Sequence, residues 1–341
     1  MTCQLVWFRS DLRTHDHSAL AAAARRGPVI AVFVHCVPQW QRHGHGANKI
    51  YFWRRGVAAL GTALDELNIP LLQREASSFA EIPALLLAVA REHEAQALHF
   101  NREYLLDEWR RDQATREAFA NAGLAVHAHT DAVAFAPGEL LTGKGGYYSV
   151  FTPFAKAWHR EVSASRLALR DTPRPQPRLA VSGDPLPPEP PWRTPPVTTD
   201  TWPAGQEFAA DRLQRFLRHR VRQYHRQRDF PALAGTSELS PYLALGMLSH
   251  RQCLQAVMSL NGGQLADGDA GLTAWVNELV WREFYQHIAF GHPDICRHRP
   301  FRAHTTSLTW RDDEPGFKAW CEGRTGYPLV DAGMRQLVRT G

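Results

Sequence analysis

Between residues 1 and about 131, short runs of β-branched and aromatic residues alternate with amphipathic stretches. QLVWF leads to residues 17–26, VIAVFVH to 48–67, IPLLQ to 79–93 and ALHFN to 107–122, and AVHAH closes the series. Five strands separated by four helices leave few choices, because a helix between strands returns the chain to a parallel neighbour on a right-handed crossover. A doubly wound, five-stranded parallel α/β sheet of Rossmann-like form is therefore expected over 1–131. Ligands of such a sheet lie beyond the carboxyl ends of its strands, here the loops around 9–16, 35–48 and 101–108. Neither GxGxxG nor GxxxxGK[ST] occurs. The nearest glycine cluster, TGKGGYY at 142–148, lacks a strand before it, so the usual dinucleotide and P-loop fingerprints are absent.

Eleven of the 23 prolines lie between Thr172 and Pro203. Proline fixes φ and removes a donor, so this stretch is neither helix nor central strand. Residues 132–203 are expected to connect two domains, extended from 172 onward. From 204 to 341 the pattern turns helical: DRLQRFLRHRVRQYHRQRDF, SHRQCLQAVMSL, WVNELVWREFY, EPGFKAWCEG and PLVDAGMRQLVRTG all repeat near 3.6 residues. A chain of 341 residues has room for both domains.

Several function classes drop out. No apolar run approaches the length of a membrane span, and MTCQLVWFRSDLR places arginines where a signal peptide needs an apolar core, so a cytoplasmic protein without a membrane segment is expected. The five cysteines (Cys3, Cys36, Cys253, Cys296, Cys321) show no CxxC spacing, so neither a metal site nor a disulfide framework is expected. A net charge of +5 admits a polyanionic partner without requiring one. Arg212, Arg215, Arg218, Arg222 and Arg226 form one stripe opposite Leu213, Phe216, Leu217, Val221 and Tyr224. That stripe reads either as a solvated outer face or as a phosphate-contacting one.

The run WVNELVWREFY, 275–285, concentrates charge and aromatic surface. At about 100° per residue a helix places Trp275, Glu278, Trp281, Arg282 and Tyr285 within roughly a 120° arc, with Val276, Leu279, Val280 and Phe284 on the other side. Tryptophan stacks flat bases, and a neighbouring carboxyl can hydrogen-bond base edges. Upstream, GTSELSPYLALG gathers Thr236, Ser237 and Ser240, which read as a phosphate-holding loop or as a helix-capping segment.

Six blocks together resemble the photolyase and cryptochrome flavoproteins: VWFRSDLRTHDHSAL (6–20), FTPFAKAW (151–158), QRDFPALAGTSELSPYLALGMLS (227–249), WVNELVWREFY, HRPF (298–301) and GYPLVDAGMRQL (326–337). The likeness is strongest to bacterial class I photolyases, which repair cyclobutane pyrimidine dimers. It implies a C-terminal all-helical domain that binds FAD and DNA containing pyrimidine dimers, an antenna chromophore on the N-terminal domain, and a monomer. It implies a deoxyribodipyrimidine photolyase, a carbon–carbon lyase that repairs the dimer by electron transfer from photoexcited reduced FAD. No general base or nucleophile is then needed, in keeping with the lack of any triad.

By position, the resemblance makes Tyr224, Thr236, Ser237, Glu238, Leu239, Ser240, Trp275 and Arg282 flavin contacts, with Thr236 and Ser237 on the pyrophosphate. Arg228 becomes a DNA contact, Glu278 the carboxyl that bonds the dimer, and Trp281 the wall against which the flipped dimer packs. Trp310 resembles the outer member of an electron-transferring tryptophan chain. LLDEWRRD resembles a 5,10-methenyltetrahydrofolate antenna segment, with Glu108 at the pterin carboxylate and Asp107 where asparagine is usual; His43, Cys296 and Arg297 fall at or near antenna contacts. The chain stops at VRTG, roughly 130 residues short of full-length members. The helical domain is therefore expected to be incomplete, with apolar faces exposed. Two other functions fit the same residues: a cryptochrome-type blue-light receptor, and an inactive fragment that binds only an antenna chromophore.

Overall fold

Strands covered on both faces read as unbroken apolar runs, and that is how this sheet is built. The computed structural model describes residues 3–192, Pro196 and 201–340; residues 193–195 and 197–200 of the proline-rich connector lie outside the described residues. The α/β half runs β1 (Cys3–Phe8), α1 (Ser18–Ala24), β2 (Val29–His35), α2 (Val37–Arg42), α3 (Ala47–Asp65), β3 (Leu71–Glu75), α4 (Ile82–Glu92), β4 (Ala95–Asn101), α5 (Leu106–Asn121) and β5 (Ala125–His129). VIAVFVH is buried at all seven positions as β2. The sheet is parallel throughout in the order β3-β2-β1-β4-β5, so the winding reverses between β1 and β4, where a crevice opens at their carboxyl ends. Two details differ from the expectation. β3 starts at Leu71 rather than Ile69, and the short α2, with a proline in its first turn and no side-chain cap, lies in what reads as a loop.

The helical half comprises α6 (Phe151–Glu161), α7 (Gln206–His219), α8 (Tyr224–Gln227), α9 (Ser240–Ala244), α10 (His250–Leu260), α11 (Ala270–Gly291), α12 (Glu314–Cys321) and α13 (Pro328–Thr340). α6 stands inside the stretch expected to be connector and packs on α11 through Phe154 and Phe284, whose rings are 5.2 Å apart. The periodic run over 211–230 breaks after His219 into a tight turn at Val221–Gln223. That turn presses on the start of α11: a Cβ at Gly271 would lie 2.6 Å from the Arg222 carbonyl oxygen. Ser249 opens α10 with a capping box closed by Gln252. Phe317, Tyr327, Leu329 and Val338, on and around α12 and α13, leave apolar surface open.

A buried ionic network ties the halves together. Asp16, in the loop after β1, is fully buried, and both its carboxylate oxygens lie 3.0 Å from Nε of Arg251 on α10. Arg251 Nη2 donates to Asp131 Oδ1 at 2.6 Å, Arg13 pairs with the other Asp131 oxygen, and Ser249 Oγ donates to Asp16. Burial penalises the Asp131 charge, but Arg13 and Arg251 hold its carboxyl well below the usual range. At the same seam Gly246 has φ +62, and a Cβ there would meet Asp11 Cα at 2.5 Å. Only glycine lets these backbones approach so closely.

Candidate functional site

The crevice at the strand ends is a cleft of about 720 Å³. Its floor is ionic. Arg9 donates to Asp112 at 2.5 Å and Arg111 to Glu103 at 2.6 Å, while both guanidinium groups sit over Trp7, at 4.4 and 4.7 Å. Burial opposes the Glu103 charge, yet Arg9 and Arg111 hold its carboxyl down to about 2. Burial, then Glu103, pushes the Glu108 carboxyl up. His43 lies between the two acids of the α5 first turn, 3.2 Å from Asp107 and 3.8 Å from Glu108. Trp40 and Trp53 stack at 4.3 Å with 14° between their planes and form an aromatic wall. Of the residues expected at an antenna, His43, Asp107, Glu108 and Cys296 share this cleft; Arg297 is exposed and is not among its lining residues. Flat rings beside acids suit a heteroaromatic ligand that offers hydrogen-bond donors.

The second candidate region is built around α11, which the turn at 221–223 and α8 cross. Tyr224 and Trp275 are buried with Phe216 between them, its ring 5.8 Å from Tyr224 and 5.1 Å from Trp275. Leu239 is buried, Ser237 half-buried, and Thr236, Glu238 and Ser240 exposed. Glu238 adopts φ 53, in the left-handed region, and accepts from Arg212 at 2.7 Å. The hydroxyls of Thr236, Ser237 and Ser240 have no hydrogen-bond partner among the described residues. Glu278 and Arg228 form an ion pair, and the Arg228 guanidinium also lies 5.6 Å from the Tyr224 ring. Trp281 is half-buried; Phe151 of α6 stacks on it at 3.7 Å and 7°, and the exposed Tyr285 follows at 5.5 Å. Glu278 and Trp281 share one face of α11, as the helical arc implies, and the fold brings Arg228 to Glu278.

Three expected residues sit apart from that arrangement. Arg282 donates to the Ala132 carbonyl, just past β5, at 2.9 Å and to the Leu243 carbonyl of α9 at 3.1 Å, and it lines the strand-end cleft. Trp275, placed on the aromatic and charged arc, is only 3% exposed. Trp310 is 83% exposed. In the arginine stripe, Arg212 pairs with Glu238, Arg215 with Asp211 and Arg222 with Asp269, so three of the five guanidinium groups already face carboxylates. Sequence reasoning missed Phe151 as the partner of Trp281 and Glu283 as a buried acid. The first had a signal, an aromatic at the head of FTPFAKAW; the second had none, because an acid beside Arg282 reads as surface charge.

Comparisons with known proteins cover both halves. A model of the DNA photolyase family matches residues 4–178, and a model of the FAD binding domain of DNA photolyase matches 275–341. The deoxyribodipyrimidine photo-lyase of Escherichia coli K12 is 39% identical over 353 residues, spanning 100% of this chain and 72% of its own length. That of Vibrio cholerae is 38% identical over 347 residues, spanning 99% of this chain and 72% of its own. A class III photolyase structure from Agrobacterium tumefaciens superposes with a TM-score of 0.85 at 32% identity, over 100% of this chain and 70% of that one.

Proposed function

This chain belongs to the DNA photolyase family, and from that premise we propose that it repairs cyclobutane pyrimidine dimers in DNA, in light, with FAD as cofactor. The observation that carries this reading is the grouping on α11: Glu278 held by Arg228, one turn from Trp281 stacked on Phe151. A carboxylate beside an aromatic plane can accept from base edges while the ring stacks a base, worth about 1–3 kcal/mol per base. Pyrimidine dimers pair poorly, so extruding one from the duplex costs less than extruding normal bases.

The donor set fits FAD. Three hydroxyls without protein partners among the described residues, Thr236, Ser237 and Ser240, offer hydrogen bonds to a pyrophosphate, and the buried Tyr224, Leu239 and Trp275 offer apolar contacts. Held there in its reduced form, FAD would supply light-driven electron donation to the dimer and would recover the electron once the ring has split, so the reaction is redox-neutral. The chain's own residues bind and orient. Arg228 contacts a DNA phosphate, Glu278 accepts from the dimer, and Trp281 forms its aromatic wall, its indole plane fixed by Phe151. Trp310 serves as the outer relay for reducing the cofactor. The strand-end cleft takes the antenna, with His43, Asp107 and Glu108 as donors and acceptors for a folate-type pterin. The proposal includes a monomer acting in the cytoplasm, with the DNA it repairs. Among the described residues no helix is long and apolar enough to cross a membrane.

The test of cofactor binding is a flavin titration of the chain, read by absorbance and fluorescence. Bound flavin should appear, and replacing Thr236 and Ser237 together by Val and Ala should weaken it about tenfold or more, as loss of two hydrogen bonds to a charged group implies. No flavin binding by the wild-type chain, or equal binding by the double variant, would remove the phosphate-loop assignment.

A further inference from the structure

Glu283 is 3% exposed, in the middle of α11, and no role above uses it. Its two oxygens accept from the backbone N–H groups of Ala134 at 2.7 Å and Phe135 at 2.9 Å. On either side of it, Arg282 donates to the Ala132 carbonyl at 2.9 Å and His287 Nε2 meets the Phe135 carbonyl at 2.9 Å. Three residues of one helix therefore grip both the donors and the acceptors of the four-residue segment 132–135. That segment follows directly on Asp131, the carboxylate that the buried arginines hold.

We propose that Glu283 is a positioning residue: by fixing the register of α11 on the segment that leaves β5, it places Glu278 and Trp281 for the dimer. The inference rests on the reading of those two residues given above. At about 100° per residue Glu283 stands roughly 160° from Trp281, so its bonds anchor the face opposite the candidate site. A one-residue slip of the helix moves every side chain by about 100° and 1.5 Å, which would carry Trp281 off Phe151.

The anchor is also a titrating one. Burial pushes the Glu283 carboxyl up to about 7 against the pull of the Ala134 and Phe135 amides. The groups around it are Arg282 and, 4.0 Å away, His287 on α11, the indole of Trp158 on α6, the Tyr104 phenol after β4, and Glu139, which acts on His287. A carboxylate holds two N–H donors more strongly than the neutral acid does. That gain is smaller than the cost of burying the charge, so the grip on 134–135 loosens as the proton leaves.

The experiment is dark binding of the chain, with FAD added, to a duplex carrying one thymine dimer and to the same duplex undamaged, from about pH 6 to pH 8. For the wild type the preference for damage should fall across this range; Glu283→Gln, whose amide NH₂ must face one of the two N–H donors, should lose about tenfold of that preference and its pH dependence. Glu283→Asp should restore the pH dependence in part. A Glu283→Gln chain that keeps the wild-type preference and profile overturns the inference while leaving the dimer reading intact. A wild type with no preference for damage overturns both. Should Glu283→Gln not fold, amide hydrogen exchange of the wild type decides: protection at Ala134 and Phe135 that falls with rising pH after correction for intrinsic exchange supports the anchor, and unchanged protection refutes it.

Discussion

Replacing Trp281 by alanine separates recognition of damage from general attraction to DNA. The indole is held by Phe151 at 3.7 Å and 7°, so it presents a fixed plane and loses little rotamer freedom when a base stacks on it. Removing it forfeits base stacking worth about 1–3 kcal/mol, a loss of roughly 5- to 150-fold in affinity for dimer-containing DNA. Undamaged duplex never reaches this plane and is held mainly through phosphates, so its affinity should change by less than about twofold. The same substitution breaks the Phe151 pair and uncovers its ring, costing about 0.5–1.5 kcal/mol of stability for that aromatic contact. The assay is a fluorescence titration in the dark with matched duplexes at one salt concentration, alongside thermal unfolding. Trp281→Phe should fall between wild type and alanine. Equal losses on damaged and undamaged DNA would refute the stacking role; a loss confined to stability would make Trp281 a packing residue.

Asp131→Asn removes the carboxylate of Arg13 and leaves Arg251 with Asp16 alone, and should destabilise the chain by about 3–5 kcal/mol, visible in the denaturation midpoint. Gly246→Ala must accommodate a Cβ 2.5 Å from Asp11 Cα in a left-handed conformation, so a loss above about 2 kcal/mol, or an insoluble chain, is expected on denaturant titration. Stability should depend on pH through Glu283: the folded chain keeps a proton up to about 7 that the unfolded chain releases near 4.5, so stability falls as pH rises through this window, by up to ~3 kcal/mol. Glu283→Gln should flatten that decline in a pH series of unfolding curves.

Much of the α/β half is legible in the sequence because its physics is local and repetitive. QLVWF, VIAVFVH and ALHFN are continuous apolar runs as doubly covered strands demand, and the helices between them have the right length and amphipathicity. α2 escapes notice because six residues with a proline and no cap carry no periodicity. In the helical half, the break after His219 has no glycine or proline to announce it; it exists because α11 crosses there, with Gly271 against the Arg222 carbonyl. The same limit applies to the site. Helical spacing puts Glu278 beside Trp281, which local geometry alone can state. Arg228, 50 positions away from Glu278, joins them only through the fold, and nothing local says that Arg282 and Glu283 turn to the backbone of residues 132–135. Charge on a helix reads as solvated until a neighbouring segment buries it.

The most direct measurement is the count of thymine dimers left in irradiated DNA after incubation with the chain, reducing agent and FAD, under blue light and in parallel darkness. Dimers should disappear in light, remain in darkness, and remain in light when Glu278 and Trp281 are both replaced by alanine. Dimers that persist under illumination with flavin demonstrably bound, or that vanish equally with the double variant, would contradict the assignment of catalysis to this face of α11.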